Sequence, residues 1–238
     1  MTQVFVHTVR KGGELSEQWR YFGFLGGVST LGFFALGFFA DVERVSFHWP
    51  LPGYLALLIA APVLLQQWPR IWRVATWVMA GAGLVVVLGY YLMLSMPTLR
   101  AQSAAEKFYN SNFAGWDELA TAVQEELERL PEGTPLLAGN FKIGAELGFA
   151  FNDPQIEVLD HPLNHKHGRA PQLRLWNLEN DGRRERPALL VVGHGDVQYK
   201  SLLQHYHQLC EKLGPLPPPR VVNVDHGRQR FLLFTLPA

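Results

Sequence analysis

The chain has 238 residues, with 21 Lys and Arg balancing 21 Asp and Glu, and a single cysteine, Cys210. With no excess of cations to collect phosphates, a polybasic nucleic-acid binder is excluded, and a lone cysteine excludes an internal disulfide or a multi-cysteine zinc site. Charged residues make up 18% of the chain, below the roughly 25% of typical soluble domains. The deficit is local, because residues 21–97 carry only Asp41, Glu43, Arg44, Arg70 and Arg73. Two unlike segments are joined, which excludes one soluble domain of ordinary composition. High apolar content with no net charge also argues against disorder.

The front of the chain reads as membrane. Phe22–Ala40 is a run of 19 residues without a charge, and Val74–Ser95 is a second, of 22. Each approaches the roughly 20 residues that a helix needs to cross a hydrocarbon core of about 30 Å. Between them Gly53–Gln67 is apolar but only 15 residues long, so it must thin the bilayer, borrow flanking residues or be partly re-entrant. Trp49 and Tyr54 at one end and Trp68 and Trp72 at the other supply aromatic edges. Three spans are therefore expected, at about 22–40, 53–67 and 74–95. Gly23, Gly26 and Gly27, and Gly81, Gly83 and Gly89, suit close helix packing. A cleaved signal peptide fits poorly, since the first run is long and no small-residue cleavage site follows it.

Orientation follows the cations near the helix ends. Arg10, Lys11, Arg20, Arg70 and Arg73 fall on one side, and Arg44, Arg100 and Lys107 on the other. The excess predicts a cytoplasmic segment 1–20, a transmembrane region 21–97 and an extracytoplasmic domain 98–238.

The back of the chain reads as a small soluble α/β domain. Residues 98–130 look helical, with Asn112 or Asp117 able to cap 116–130, where Leu119, Val123, Leu127 and Leu130 recur at helical spacing. Pro131-Glu132-Gly133 ends that helix. Pro135–Ala138 predicts a strand, Lys142–Phe151 a helix with Ile143, Leu147 and Phe151 on one face, and Ile156–Leu159 a strand. Residues 161–174 read as a polar loop. Ala188–Val192 is an apolar strand, and Gly193-His194-Gly195-Asp196 turns into a helix over 197–212. Pro215–Pro219 is a linker, and Val221–Val224 and Phe231–Leu236 are strands around Asp225-His226-Gly227. Strands alternating with helices imply a layered α/β fold.

Several motifs carry little. The Gly193–Asp196 turn lacks the spacing of a dinucleotide or Walker loop, and Asp196 reads as a helix N-cap. His207 and Cys210 could touch one metal, but no further ligand joins them. A nucleophile elbow is absent from the sequence. The 161–174 segment is denser in chemistry: His161, Asn164, His165, Lys166, His167, Arg169, Gln172 and Arg174 fall within 14 residues. Cations and amide donors so grouped suit a phosphate or pyrophosphate, and the same composition suits a solvated surface loop. A metal held by His161, His165 and His167 is disfavoured, because Lys166 and Arg169 would repel the ion. At the membrane edge, His48-Trp49-Pro50-Leu51-Pro52-Gly53-Tyr54 is a rigid aromatic turn, better read as an interfacial anchor than as a pocket wall.

That last segment resembles the W-P-x-P-x-Y segment of polytopic membrane glycosyltransferases, the dolichyl-phosphate-mannose protein mannosyltransferase-like family with its bacterial relatives, the lipid A aminoarabinose transferases. Asn140-Phe141-Lys142-Ile143-Gly144-Ala145-Glu146-Leu147-Gly148-Phe149 resembles that family's helix start. Asn164 through Trp176 resembles its asparagine- and arginine-containing loop ending in Trp. The three occur in the family's order, over roughly residues 20–200. The resemblance implies transfer of a sugar from a polyprenyl-phosphate donor to an acceptor on the non-cytoplasmic face, in the inner membrane if the source is bacterial. It implies donor contacts from Lys142, Asn164, His165, Lys166, His167, Arg169 and Gln172, with His48, Trp49 and Tyr54 bordering the same cavity. The family's acidic residues lie in a first extracytoplasmic loop that Asp41 and Glu43 do not match, so no catalytic base is assigned and the chain is expected to correspond to a C-terminal portion. No cofactor is called for; family chemistry allows a divalent cation, without a matching site in this sequence. The competing expectation is a catalytically inert, membrane-anchored binding module. A transporter fragment is disfavoured because the three runs hold no charge at mid-membrane.

Overall fold

In a computed structural model, which describes residues 17–37 and 49–238, the apolar front of the chain forms helices α1 (Glu17–Gly37), α2 (Leu51–Gln67) and α3 (Arg70–Ser95). Helix α1 packs closely on α2 where side chains are small: a Cβ on Gly26 would lie 2.5 Å from Cγ of Leu57, and Ala56 and Leu57 are buried there. Helix α2 starts after Pro50, whose carbonyl accepts the Tyr54 N–H at 3.1 Å, and it carries Pro62 inside its 17 residues, which removes a backbone hydrogen bond. A Cβ on Gly81, Gly83 or Gly89 of α3 would meet nothing within 4 Å among the described residues.

Among the described helices, only α3 is long and apolar enough to cross a membrane. Its 26 residues reach about 39 Å at 1.5 Å per residue. The apolar part of α1, Tyr21–Gly37, is shorter. Of the three expected spans, one thus meets the requirement of length and composition. The predicted stretch 38–40, together with His48, Asp41 and Glu43, lies outside the described residues.

The chain divides into two units, Met1–Val87 and Leu88–Ala238. The second begins with the last turns of α3 and continues through α4 (Pro97–Gln102) and α5 (Trp116–Leu127). The continuous helix expected over 98–130 is broken between them. Asn110 accepts the Asn112 N–H at 3.1 Å and turns the chain. Gly115 follows at φ 82°, a left-handed conformation that ends regular helix and that glycine adopts without strain. Neither expected cap is used: Gly115 occupies the N-cap position of α5.

Six strands then form one sheet: β1 (Leu136–Ala138), β2 (Glu157–Leu159), β3 (Glu179–Asn180), β4 (Ala188–Gly193), β5 (Arg220–Val224) and β6 (Gln229–Leu236), in the order β3-β2-β1-β4-β6-β5. The first four run parallel, whereas β6 runs antiparallel to β4, with Leu190 opposite Phe234, and pairs antiparallel with β5. Helices cover both faces: α6 (Phe141–Phe151), α7 (Pro162–Lys166), α8 (Ala170–Leu175) and α9 (Leu202–Leu213). Strand β4 lies at the centre and is buried throughout, the reason its sequence is uninterruptedly apolar. Leu189 and Val191 pack with Leu119, Val123, Ile143 and Leu147 of α5 and α6; Leu190 and Val192 pack on the other face with Leu209 and Leu213 of α9.

Two expectations for this unit are corrected, and one strand is unexpected. The segment 161–174 is not an open loop, because Pro162 and Pro171 each sit at a helix start, where a missing N–H costs nothing. Strand β3 has no apolar signal and exists through its pairing with β2. The last helix begins at Leu202, five residues after the predicted start, behind 3-10 turns at His194–Asp196 and Tyr199–Ser201.

Candidate functional site

The parallel strands deliver two loops to one edge of the sheet. Strand β1 leads into Gly139-Asn140 and helix α6, and the adjacent β4 leads into Gly193-His194-Gly195-Asp196. Successive connections leave β1 and β4 toward opposite sides, so this is the topological switch point at which open α/β sheets form crevices. Asn140 is fully buried. Its Oδ1 accepts the N–H groups of Lys142 (2.9 Å) and Ile143 (3.3 Å), capping α6, and its Nδ2 donates to Asp196 Oδ2 at 2.5 Å. That same carboxylate oxygen accepts the Gly193 N–H at 3.0 Å. Asp196 is therefore a clamp between two strand ends, not the N-cap expected for the last helix. Burial pushes its carboxyl up to about 6, against the opposing effects of the Gly193 N–H, the Lys142 charge and Asn140.

Lys142, in the first turn of α6, donates from Nζ to Asn112 Oδ1 at 2.6 Å. The Phe141 ring beside it meets the His167 ring at a tilt of 50°, centroids 5.5 Å apart, so α6 and the basic segment meet. Asn164 makes that junction rigid. It is 1% exposed, its Oδ1 accepts the Phe141 N–H and its Nδ2 donates to the Leu159 carbonyl, each at 2.9 Å. Both ends of its amide are thus consumed inside the fold. His165 turns to Asp160, Nε2 to Oδ1 2.6 Å, and Lys212 lies 3.6 Å from the other oxygen. Burial works to raise the Asp160 carboxyl, but His165 and Lys212 outweigh it and hold its pKa below the usual range.

Between α6 and α8 lies a cavity of about 860 Å³. Gly144, Ala145 and Gly148 line it along one stripe of α6, Val158 and Leu178 form its floor side, and Arg169, Gln172, Leu173 and Trp176 line it from the other helix. The walls are predominantly apolar, and Gly144 and Gly148 let α6 approach its neighbours closely, since a Cβ there would lie 2.7 Å from Cγ2 of Val158 and 3.0 Å from the Asp153 carbonyl oxygen. Arg169 donates to Gln172 Oε1 at 3.4 Å, and Asn152, Asp153 and Gln155 add further polar lining. Lys166, Phe149 and Leu175 are exposed around this region. Of the sequence-predicted residues, Arg169 and Gln172 line the cavity, and Lys142, Lys166 and His167 gather at the neighbouring edge. Trp49 and Tyr54 belong to the first unit, where the Trp49 ring contacts Phe33 at 6.0 Å.

His161 is 3% exposed. Its Nδ1 accepts the Leu163 N–H at 3.1 Å, capping α7, so its proton resides on Nε2. That Nε2 has no hydrogen-bond partner among the described residues, and the ring meets His205 edge-on at 5.1 Å between centroids. A ring with one nitrogen accepting and the other protonated has no lone pair for a metal. Burial, reinforced by His205, lowers its pKa to about 4. No group of three His, Cys, Asp or Glu side chains arranged to hold a metal occurs among the described residues.

Sequence reasoning missed the joint use of Asn140 and Asp196. A Gly-Asn pair before an apolar helix and a Gly-x-Gly-Asp turn after a buried strand were the available signals, but only the sheet order makes them neighbours. It also missed Asn112, whose carboxamide fixes Lys142. No family model, curated protein or solved structure matches the chain.

Proposed function

We propose that the chain is the C-terminal, membrane-embedded portion of a glycosyltransferase that takes a sugar from a polyprenyl-phosphate donor and passes it to an acceptor on the extracytoplasmic face. In this reading α1 and α2 accompany α3 through a bacterial inner membrane, the N-terminal segment is cytoplasmic, and the α/β unit lies outside. The observation that carries it is the cavity between α6 and α8, largely apolar along its walls, with Arg169 and Gln172 on one side and Asn152, Asp153 and Gln155 also lining it. Isoprene units match the apolar stripe, and guanidinium and ammonium groups match a phosphate. The acceptor hydroxyl would attack the anomeric carbon, the sugar–phosphate bond would break, and the polyprenyl phosphate would leave with the electron pair. Arg169, with Lys142 and Lys166 near it, would stabilise that leaving charge; the base that takes the hydroxyl proton is unassigned.

The test is binding of polyprenyl phosphate to the full chain in detergent. Replacing Lys166 and Arg169 together by Ala should weaken binding about 10- to 100-fold, as charge-assisted hydrogen bonds of roughly 1.5–3 kcal/mol are lost. Ala145→Trp should block the cavity to a similar extent. Unchanged affinity in both variants overturns the reading. Binding without sugar transfer in native membranes supports the inert module instead.

A further inference from the structure

Contacts within the α/β unit relate its switch-point edge to helix α3. The Tyr90 hydroxyl, five residues before the end of α3, donates to the Phe108 carbonyl at 3.3 Å. Five residues correspond to about 7.5 Å of helix, so Phe108 lies level with the last turns of α3. Four residues on, Asn112 holds Lys142 at the start of α6, and Phe141 next to it holds His167. This chain of contacts brings α3's last turns, the start of α6 and the basic helix α7 to one side.

That side combines the two properties of an interfacial surface. Phe108 and Phe113 are 55% and 60% exposed, without burial to explain two phenylalanines. Lys166 and Arg169 are exposed, and neither they nor Lys142 forms an ion pair among the described residues. Of the acids nearby, Asp160 is engaged by His165 and Lys212, Asp196 by Asn140 and the Gly193 N–H, and Asp153 accepts the Gln155 N–H, while Glu146 feels the Lys142 charge one turn away on α6. Cations outside any ion pair among the described residues, Lys166 and Arg169 foremost, beside exposed aromatic rings complement an anionic headgroup layer, in which rings sit at the boundary and ammonium groups reach phosphates.

We propose that this edge, formed by Phe108, Phe113, Lys142, Lys166, His167 and Arg169, rests in the anionic headgroup layer of the bilayer that α3 crosses. The proposal rests on the membrane reading of α3 and draws on the same cations that the proposed function gives to the donor phosphate, which is why its test is made without that donor. Docking would hold the cavity next to lipid and restrict the α/β unit to one orientation above the leaflet.

The experiment uses the full chain with Cys210→Ser in nanodiscs free of polyprenyl phosphate, labelled with a fluorophore at single cysteines. Labels replace Phe113 at the docking edge, Glu132 in the turn at the opposite end of β1, and Val85 within α3. Discs contain phosphatidylcholine alone or with phosphatidylglycerol. The expected result is quenching at position 113 by nitroxides near the lipid headgroup, with protection from aqueous iodide, and the reverse at 132. Phosphatidylglycerol should strengthen lipid quenching at 113, and Ala at Lys142, Lys166 and Arg169 should remove that gain, since each cation near an anionic surface favours contact about five-fold. Equal aqueous access at 113 and 132, or no response to phosphatidylglycerol, overturns the proposal. If the label at 85 is in the bilayer while that at 113 is in water, docking alone fails. If 85 is also in water, the membrane reading fails with it.

Discussion

The Asn140 carboxamide donates to Asp196 at 2.5 Å across the ends of two adjacent parallel strands, joining residues 56 apart in sequence. The bond ties the start of α6, and so Lys142, to the turn after β4. Because burial raises the Asp196 carboxyl from 3.8 to about 6, the folded state holds this proton over a range where the unfolded chain has released it. Its contribution to stability is therefore present below pH 3.8 and lost as pH rises through 6. Asp196→Asn keeps an oxygen to accept both bonds and removes the charge. The variant should be more stable than the parent at pH 7, by on the order of 1–2 kcal/mol, with no difference at pH 4. Unfolding midpoints of the full chain in detergent at the two pH values measure this.

His161 acts with the opposite sign. Its pKa falls from 6.5 to about 4 on burial, so between these values the unfolded chain binds the extra proton. Stability is full above pH 6.5 and declines toward pH 4. Protonation also puts a hydrogen on Nδ1, which must then release the Leu163 N–H. His205, itself lowered by burial, faces the same ring; Asp160 favours the charged form and Lys212 opposes it. Amide exchange in α7 should accelerate as pH falls through this window, relative to α5, after correction for intrinsic rates. His161→Asn, which can still cap the helix, should reduce that acceleration.

Arg100 is the other high-stakes residue. Its Nε donates to Asp225 Oδ2 at 2.7 Å and its Nη2 to Glu118 at 2.6 Å, with Arg100 and Asp225 side chains 8% and 4% exposed. The Tyr109 hydroxyl donates to the same Asp225 oxygen at 2.7 Å, and burial and this bond push its phenol well above the usual range. Arg100→Met leaves a buried carboxylate without its cation and should cost about 3–5 kcal/mol. Adding Asp225→Asn should recover much of that loss. Additive effects in the double variant, read from denaturant midpoints, would contradict direct coupling.

Gly115 should tolerate no side chain. At φ 82° an L-residue is strained by about 1–2 kcal/mol, and a Cβ there would lie 2.7 Å from Cγ2 of the buried Val224. Gly115→Ala is expected to lower the thermal midpoint more than Gly133→Ala, where φ is also positive but a Cβ would meet nothing within 4 Å among the described residues.

Patterns dominated by local physics were legible in the sequence. The charge-free run after Val74 marks α3 because a helix that long, without charges, needs no partner to be recognised. The apolar run 188–192 marks the central strand, since a strand covered on both faces has no polar side. Ile143 and Leu147 at helical spacing mark the buried face of α6. The short β3 and the break at 103–115 were hidden, because one depends on pairing with β2 and the other on an asparagine turn and a left-handed glycine.

Composition and order by themselves determined a membrane-capable front, an α/β back and a cluster of cations near residue 166, all consequences of side-chain hydrophobicity, charge and period. Tertiary structure alone decided which of those polar groups remain available. It consumes both ends of the Asn164 amide inside the fold, turns His165 to Asp160, and leaves Lys166 and Arg169 exposed. It also brings Asn140 to Asp196 and Lys142 to Asn112. Hydrogen-bond satisfaction of buried groups depends on neighbours brought together by sheet order, and no local pattern encodes that.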